Sequence, residues 1–149
     1  TRAEHSWVLA QKLRLFHVNT PLPVAYLESN TLGMRGKSYF ISEFVAGNDV
    51  KAYLAPFENE PYMAANVIQR VCNLISSLLQ LEMTHGDLKA TNIIINADEQ
   101  PYLIDLDGAA EHYTHAGLKQ TMREEVKRFL QNFSELPMLK EVLRRTLKM

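Results

Sequence analysis

One cysteine, one tryptophan and a net charge of only -1 across 149 residues already leave several functions out. A single thiol, Cys72, can build neither a disulfide framework nor a cysteine-based zinc site. Its place in an apolar helical pattern reads as a small buried side chain and not as a reactive one. No apolar run approaches the roughly 20 residues of a membrane-spanning helix, and no signal-peptide pattern is present. The small net charge gives no reason to expect nucleic acid as a partner. Repeats and low-complexity tracts are missing as well. The chain therefore reads as one globular domain, too short for two full ones, in a reduced cytoplasmic setting.

Charge is unevenly spread. The stretch from Lys119 to the C-terminus holds eight basic residues against four acidic ones, a balance of +4 that leaves the first 118 residues at -5. Such a tail is either a solvated helix face or a contact for an anionic lipid surface.

The periodicity predicts an α+β order. Ala3, Trp7, Ala10 and Leu13 fall on one face of a first helix running to about Phe16. The chain has no initiator methionine and enters that pattern at once, which reads as a trimmed or incomplete chain. Asn19-Thr20-Pro21-Leu22-Pro23 ends the helix. Strands are expected at Val24–Glu28 and Lys37–Phe44, with a turn over Ser29–Gly36 between them. Asp49 is placed to cap a short helix through Leu54. Pro61 suits the first position of a long helix, on which Val67, Val71, Leu74, Leu78 and Leu81 form a core stripe. Ile93–Ile95 and Tyr102–Ile104 read as short strands around a polar turn. Two helices close the chain, one over Leu118–Phe133 and one after Pro137.

The chemistry concentrates in His85-Gly86-Asp87-Leu88-Lys89-Ala90-Thr91-Asn92 and in Ile104-Asp105-Leu106-Asp107-Gly108. Asp87, Asn92 and Asp105 stand five and then thirteen positions apart, on a loop after a long helix and just past the second of two short strands. The set fits what phosphoryl transfer asks for, namely charge neutralisation and an oriented attacker with little covalent work by the protein. Asp87 can accept the proton of an incoming hydroxyl. Asn92 and Asp105 offer hard oxygen ligands for Mg²⁺ or Mn²⁺ bridging nucleotide phosphates. Lys89 can bring positive charge to the moving phosphate. His85 is read as a prop for the loop. Asp107 is either a second metal ligand or a turn residue before Gly108. Taken singly, each residue could equally be a turn or cap residue. The remaining histidines, His5, His17, His112 and His115, lack ligand spacing and read as surface residues.

The order His-Gly-Asp-Leu-Lys…Asn-Ile-Ile-Ile…Leu-Ile-Asp-Leu-Asp-Gly resembles the lipopolysaccharide kinases that phosphorylate Kdo or heptose of the inner core, bacterial members of the protein-kinase-like superfamily. Arg2-Ala3…Trp7 and Asn19–Ala25 are similar to that family's helix C and the strand after it. Ser38–Gly47 is similar to its hinge between lobes, and Lys127-Arg128-Phe129-Leu130 to its late Arg-Phe helix. The resemblance implies a protein-kinase-like fold: residues 1–48 as the remnant of an N-terminal lobe, residues 49–149 as the helical C-terminal lobe. It implies ATP and Mg²⁺ (or Mn²⁺) as cofactors, with Asp87 as base, Asn92 and Asp105 as metal ligands, and Glu43, Val45 and Ile104 around adenine. It also implies a lipid-linked core sugar as acceptor, at the inner face of a bacterial inner membrane. Two features depart from the family pattern. No glycine-rich loop or strand lysine precedes the first helix, and the acid expected on that helix is not clearly placed, Ser6 and Glu4 being the nearest positions. A fragment of a normal kinase is the favoured explanation, a degenerate relative the other. The competing functions are a serine/threonine protein kinase of the same fold and a non-catalytic binding module.

Overall fold

The computed structural model describes residues 1–31 and 34–148. Leu32 and Gly33, part of the expected turn, lie outside the described residues, as does the C-terminal methionine. The order is helix, hairpin, then a mostly helical body with small strands inserted, the α+β order the periodicity predicts.

Helix α1 (Arg2–Leu15) begins on a capping box in which the Thr1 hydroxyl accepts from the Glu4 amide at 3.2 Å and Glu4 reaches back. Its buried face is Ala3, Ser6, Leu9, Ala10 and Leu13. That face is turned slightly from the expected one, because Trp7 is only half-buried. Its ring rests against Tyr26 of the hairpin, centroids 5.8 Å apart, at the edge of the contact. The hairpin pairs β1 (Pro23–Thr31) with β2 (Met34–Ser42) antiparallel, Tyr26 opposite Phe40 and Leu27 opposite Tyr39. The first strand runs three residues past its expected end, and the second begins three residues early but stops at Ser42, two residues short of the expected Phe44. A register shift between Glu28 and Asn30 lets the ladder continue into residues that read as turn.

Past the hairpin, β3 (Asn48–Asp49) leads into α2 (Val50–Leu54), where the Asp49 carboxylate caps Ala52 N–H at 2.9 Å, as its position predicts. Pro61 opens a 3₁₀ turn over Pro61–Ala64, and α3 (Ala65–Gln80) follows, so the α-helix starts one turn later than expected. Val67, Ile68, Val71, Cys72, Leu74, Ile75 and Leu78 are buried along it. They meet Phe129 and Phe133 and residues Leu139 and Leu143 of the C-terminal helices in one continuous core. Full burial of each such side chain stabilises by about 1.5–3 kcal/mol, so this stripe is what fixes α3 in place. Leu81 lies past the helix end and is half-buried.

Four short strands after α3 set the site. β4 (Met83–Thr84) pairs with β7 (Ala110–Glu111), and β5 (Ile93–Ile95) pairs with both β3 and β6 (Pro101–Leu103). The last two helices are α4 (His115–Gln131) and α5 (Pro137–Leu147).

Candidate active site

The loop between β4 and β5 is fixed by groups the sequence pattern alone does not single out. Glu125, fully buried on α4, turns its carboxylate to the loop and accepts from the backbone N–H of His85 at 3.0 Å and from that of Gly86. One turn past the end of α4's inner face, Asn132 Oδ1 accepts from Ala90 N–H at 2.6 Å. Two side chains seven positions apart thus hold both ends of the loop from a single helical face. Gly86 makes the turn possible. Its φ is +82°, and a Cβ there would lie 1.9 Å from the Gly108 carbonyl oxygen.

Asp87 is half-exposed at the centre of the loop. Its Oδ2 accepts from Lys89 Nζ at 2.6 Å and from Asn92 Nδ2 at 3.4 Å. The Lys89 hydrogen bond, helped by the lysine's charge and by Asn92, holds the Asp87 carboxyl below the usual carboxylate range, so it is ionised at neutral pH. Asn92 is buried at the end of a 3₁₀ turn, and its Nδ2 also donates to the Asp87 carbonyl at 2.9 Å. With the amide nitrogen committed inward, the amide oxygen is the atom left for a ligand.

Ile104 ties the loop to the second acidic segment. Its N–H donates to the Asn92 carbonyl at 3.0 Å, and its carbonyl accepts from His85 Nε2 at 2.9 Å. This is why β6 ends at Leu103, one residue before the expected end, with the backbone of Ile104 bridging the two segments instead. Upstream, the buried Thr20 hydroxyl donates to the Leu103 carbonyl at 2.8 Å, and Leu103 N–H donates to Asn19 at 2.9 Å. Asp105, next in sequence, takes a left-handed φ of +61° ahead of the 3₁₀ turn Leu106–Gly108 and lines the cleft beside the loop. His85 is the prop it was expected to be. Burial pushes its pKa below the ordinary 6.5, so the ring is neutral. With Nε2 donating to Ile104, Nδ1 is buried without a partner among the described residues.

Asp107 sits inside the 3₁₀ turn and pairs with Arg2 of α1 at 3.4 Å. The same face of α1 holds the segment twice more, through His5 Nε2 against the Ala109 carbonyl at 2.7 Å and Lys12 Nζ on Glu111 at 2.6 Å. His5 and His112 are therefore engaged side chains, the latter against the Thr84 hydroxyl at 2.9 Å. Ser6 is buried on α1, lining a recess of about 330 Å³ shared with Asp105 and Asp107, whereas Glu4 is exposed and belongs to the helix cap.

A cleft of about 340 Å³ opens beside this loop, between the hairpin and the small sheet. Glu43, Val45, Ile104 and Asp105 all line it, with Phe40 and Ile94 supplying apolar walls. Glu43 N–H is taken by the Leu22 carbonyl at 2.8 Å, while Val45 N–H has no backbone partner among the described residues. All the residues expected to act together therefore meet around one cleft and one loop.

The donors suit a hard divalent cation. Asn92 contributes a free amide oxygen, and the Asp105 carboxylate is engaged in no ion pair among the described residues. No group of three or more His, Cys, Asp or Glu side chains could hold a metal by itself among the described residues. Two oxygen ligands fit Mg²⁺, which keeps waters and takes phosphate oxygens to complete its octahedron.

Comparison with known proteins agrees with this geometry. Over 87 residues, 57% of the chain, it is 31% identical to the serine/threonine-protein kinase ULK3 of Rattus norvegicus, of Mus musculus and of Homo sapiens. The match spans only 18% of those kinases. In three dimensions 76% of the chain superposes on 36% of a chain of the yeast RNA Pol II CTD kinase CTDK-1 complex, with a TM-score of 0.51 and 16% identity, which shows a protein-kinase-like fold. Residues 1–141 match the lipopolysaccharide kinase (Kdo/WaaP) family, and the chain belongs to that family.

Proposed function

We propose that this chain carries the catalytic and metal-binding segment of an ATP-dependent kinase that phosphorylates a hydroxyl of a lipid-linked inner-core sugar, Kdo or heptose, on the cytoplasmic side of a bacterial inner membrane. The observation that carries the reading is the convergence of Asp87, Lys89, Asn92 and Asp105 beside the cleft lined by Glu43, Val45 and Ile104.

In this reading the adenine lies in the cleft. The Glu43 carbonyl and the Val45 N–H are its hinge partners, and Ile104 packs on its face. Asn92 Oδ1 and the Asp105 carboxylate hold Mg²⁺ or Mn²⁺, which when bound offsets the charge on the phosphates. Asp87 Oδ2 orients the acceptor hydroxyl and takes its proton as the oxygen bonds to the γ-phosphorus and ADP leaves. Lys89, half-exposed and only two residues away, moves its ammonium from Asp87 to the transferring phosphoryl group and frees the carboxylate at the same time.

Incubating the protein with γ-labelled ATP, Mg²⁺ and Kdo–lipid A tests this directly. Label in the lipid, absent with Asp87→Asn and Asp105→Ala, is expected. The similarity to serine/threonine kinases motivates a second acceptor arm. Label entering a protein substrate and never the lipid would replace the sugar acceptor with a protein one.

A further inference from the structure

Helix α4 has two working faces. One carries Glu125 and Asn132 to the catalytic loop. Two positions along a helix are about 200° apart, so Arg123 and Lys127, flanking Glu125, point the other way. There they meet Lys140 and Arg144 of α5 across a groove of about 430 Å³, floored by Val126 and Leu130. Arg123 continues into a second groove of about 420 Å³, lined by Lys119 and Lys148.

The charges are arranged against their own interest. Arg123 and Lys127 are i,i+4 on α4, and Lys140 and Arg144 are i,i+4 on α5. Like charges at that spacing destabilise a helix, and here two such pairs also face each other. Glu141 is the nearest acid on α5. The hydrogen bonds it accepts from Arg144 and Arg145 hold its pKa down at about 2, so it is spent on those two arginines. No ion pair engages Arg123, Lys127 or Lys140 among the described residues. A solvated face has no need to gather unpaired cations over an apolar floor, whereas an anion seated among them removes the repulsion.

We infer that the α4–α5 face is a docking site for the phosphate headgroups of an anionic membrane. Guanidinium and ammonium groups together suit phosphate oxygens. Two adjoining grooves sharing one arginine form a band, which fits an array of headgroups better than one small ligand. Long basic side chains set beside the apolar Val126 and Leu130 are the combination that suits cations at a lipid interface. Since no helix among the described residues is long and apolar enough to cross a membrane, contact here is peripheral. The site faces away from the loop, so it holds the protein at the surface without competing for the reacting hydroxyl. It stands whichever hydroxyl that is.

The test is co-sedimentation with vesicles of phosphatidylcholine alone or with 30% phosphatidylglycerol, at about 50 and 300 mM salt. Binding is expected to the anionic vesicles only, weakening at the higher salt as screening shortens. Arg123→Gln/Lys127→Gln/Lys140→Gln should lower the partition coefficient about a hundredfold, from roughly fivefold per cation. A charge-matched control, Lys37→Gln/Lys51→Gln/Arg70→Gln, should lose far less. Circular dichroism melts keep misfolding of either variant separate from loss of binding. Equal binding to neutral vesicles, or equal loss in both variants, would overturn the proposal. So would a site filled by millimolar inorganic pyrophosphate in a protein that ignores vesicles, which would make the ligand a soluble anion. None of these readouts depends on phosphotransfer, so a failed kinase assay leaves them interpretable.

Discussion

Glu125 lends itself to the sharpest test of how the loop is built. Its carboxylate is fully buried and accepts from two consecutive backbone N–H groups, those of His85 and Gly86, at the point where the chain turns into Asp87. Glu125→Ala removes both acceptors from a place water does not reach. Hydrogen bonds to a carboxylate contribute about 1.5–3 kcal/mol each, and a buried donor left unmade costs a similar amount, so the loss should be about 2–5 kcal/mol. For a chain of this size that corresponds to a fall in melting temperature of roughly 5–15 °C. Urea unfolding should show a lower midpoint with an unchanged slope, because the surface exposed on unfolding is the same. Glu125→Gln keeps one acceptor but turns an amide N–H toward the other donor, and should fall between the two. Hydrogen exchange gives the local reading, with the His85 and Gly86 amides losing protection ahead of α3 and α5. If Glu125→Ala unfolds within about 0.5 kcal/mol of the parent, the size of an ordinary surface change, the anchoring argument is wrong.

The other expectations are simpler. Gly86→Ala places a Cβ against the Gly108 carbonyl at a positive φ, so it should destabilise by about 2–4 kcal/mol in a thermal melt; a neutral result would mean that the turn relaxes freely. Acid should weaken the fold through His85. Its folded pKa lies below 6.5, so the unfolded chain binds the extra proton first; stability is whole above about pH 6.5 and declines as the pH drops from there toward the folded pKa. Urea midpoints between pH 5 and 8 should show that decline, flattened in a His85→Gln variant. Burial pushes the Cys72 thiol up to about 12, so an aromatic disulfide reagent should label it in urea and hardly at all in the native protein. Metal-dependent ATP binding, followed by calorimetry, should vanish with Asp105→Ala; binding that persists without metal and in that variant would remove Asp105 from the site.

What was legible in the sequence is what local chemistry decides. The α3 stripe, the Asp49 cap and the break after the first helix each follow from a period or a backbone preference of a few residues, and each is where it reads apart from Leu81, which lies past the helix end. The candidate site was legible because Asp87, Asn92 and Asp105 stand at fixed offsets of five and thirteen positions, and the cleft does bring Glu43, Val45, Ile104 and Asp105 to one place. What stayed hidden depends on partners distant in sequence. Glu125 looks like one more charge on the helix surface between Glu124 and Val126, and only its position 40 residues from His85 in sequence but within hydrogen-bonding distance in space reveals it. A cue does exist. Residues Met122, Val126 and Phe129 mark the inner face of α4, and Glu125 falls among them at helical spacing, where a charge needs a partner. Strands β4 and β7 escaped for a different reason, since two-residue ladders carry no period at all.

The unit that turns these pieces into one site is the backbone of Ile104. A pair of metal ligands thirteen residues apart is useful only if the distance between them is fixed, and side-chain packing alone leaves tenths of an ångström of play. Here the Ile104 N–H is held by the segment bearing Asn92 and its carbonyl by His85, with Asp105 as the very next residue. His85 is in turn held at its own N–H by Glu125, on a helix that belongs to the core. Displacement of the α4 face should therefore move the base and both proposed ligands together, and a defect in α4 should lower turnover and metal affinity in parallel. A Glu125→Gln protein with weakened turnover but unaltered metal dependence of ATP binding would show that the two segments are held independently, and that Ile104 is a passive bystander between them.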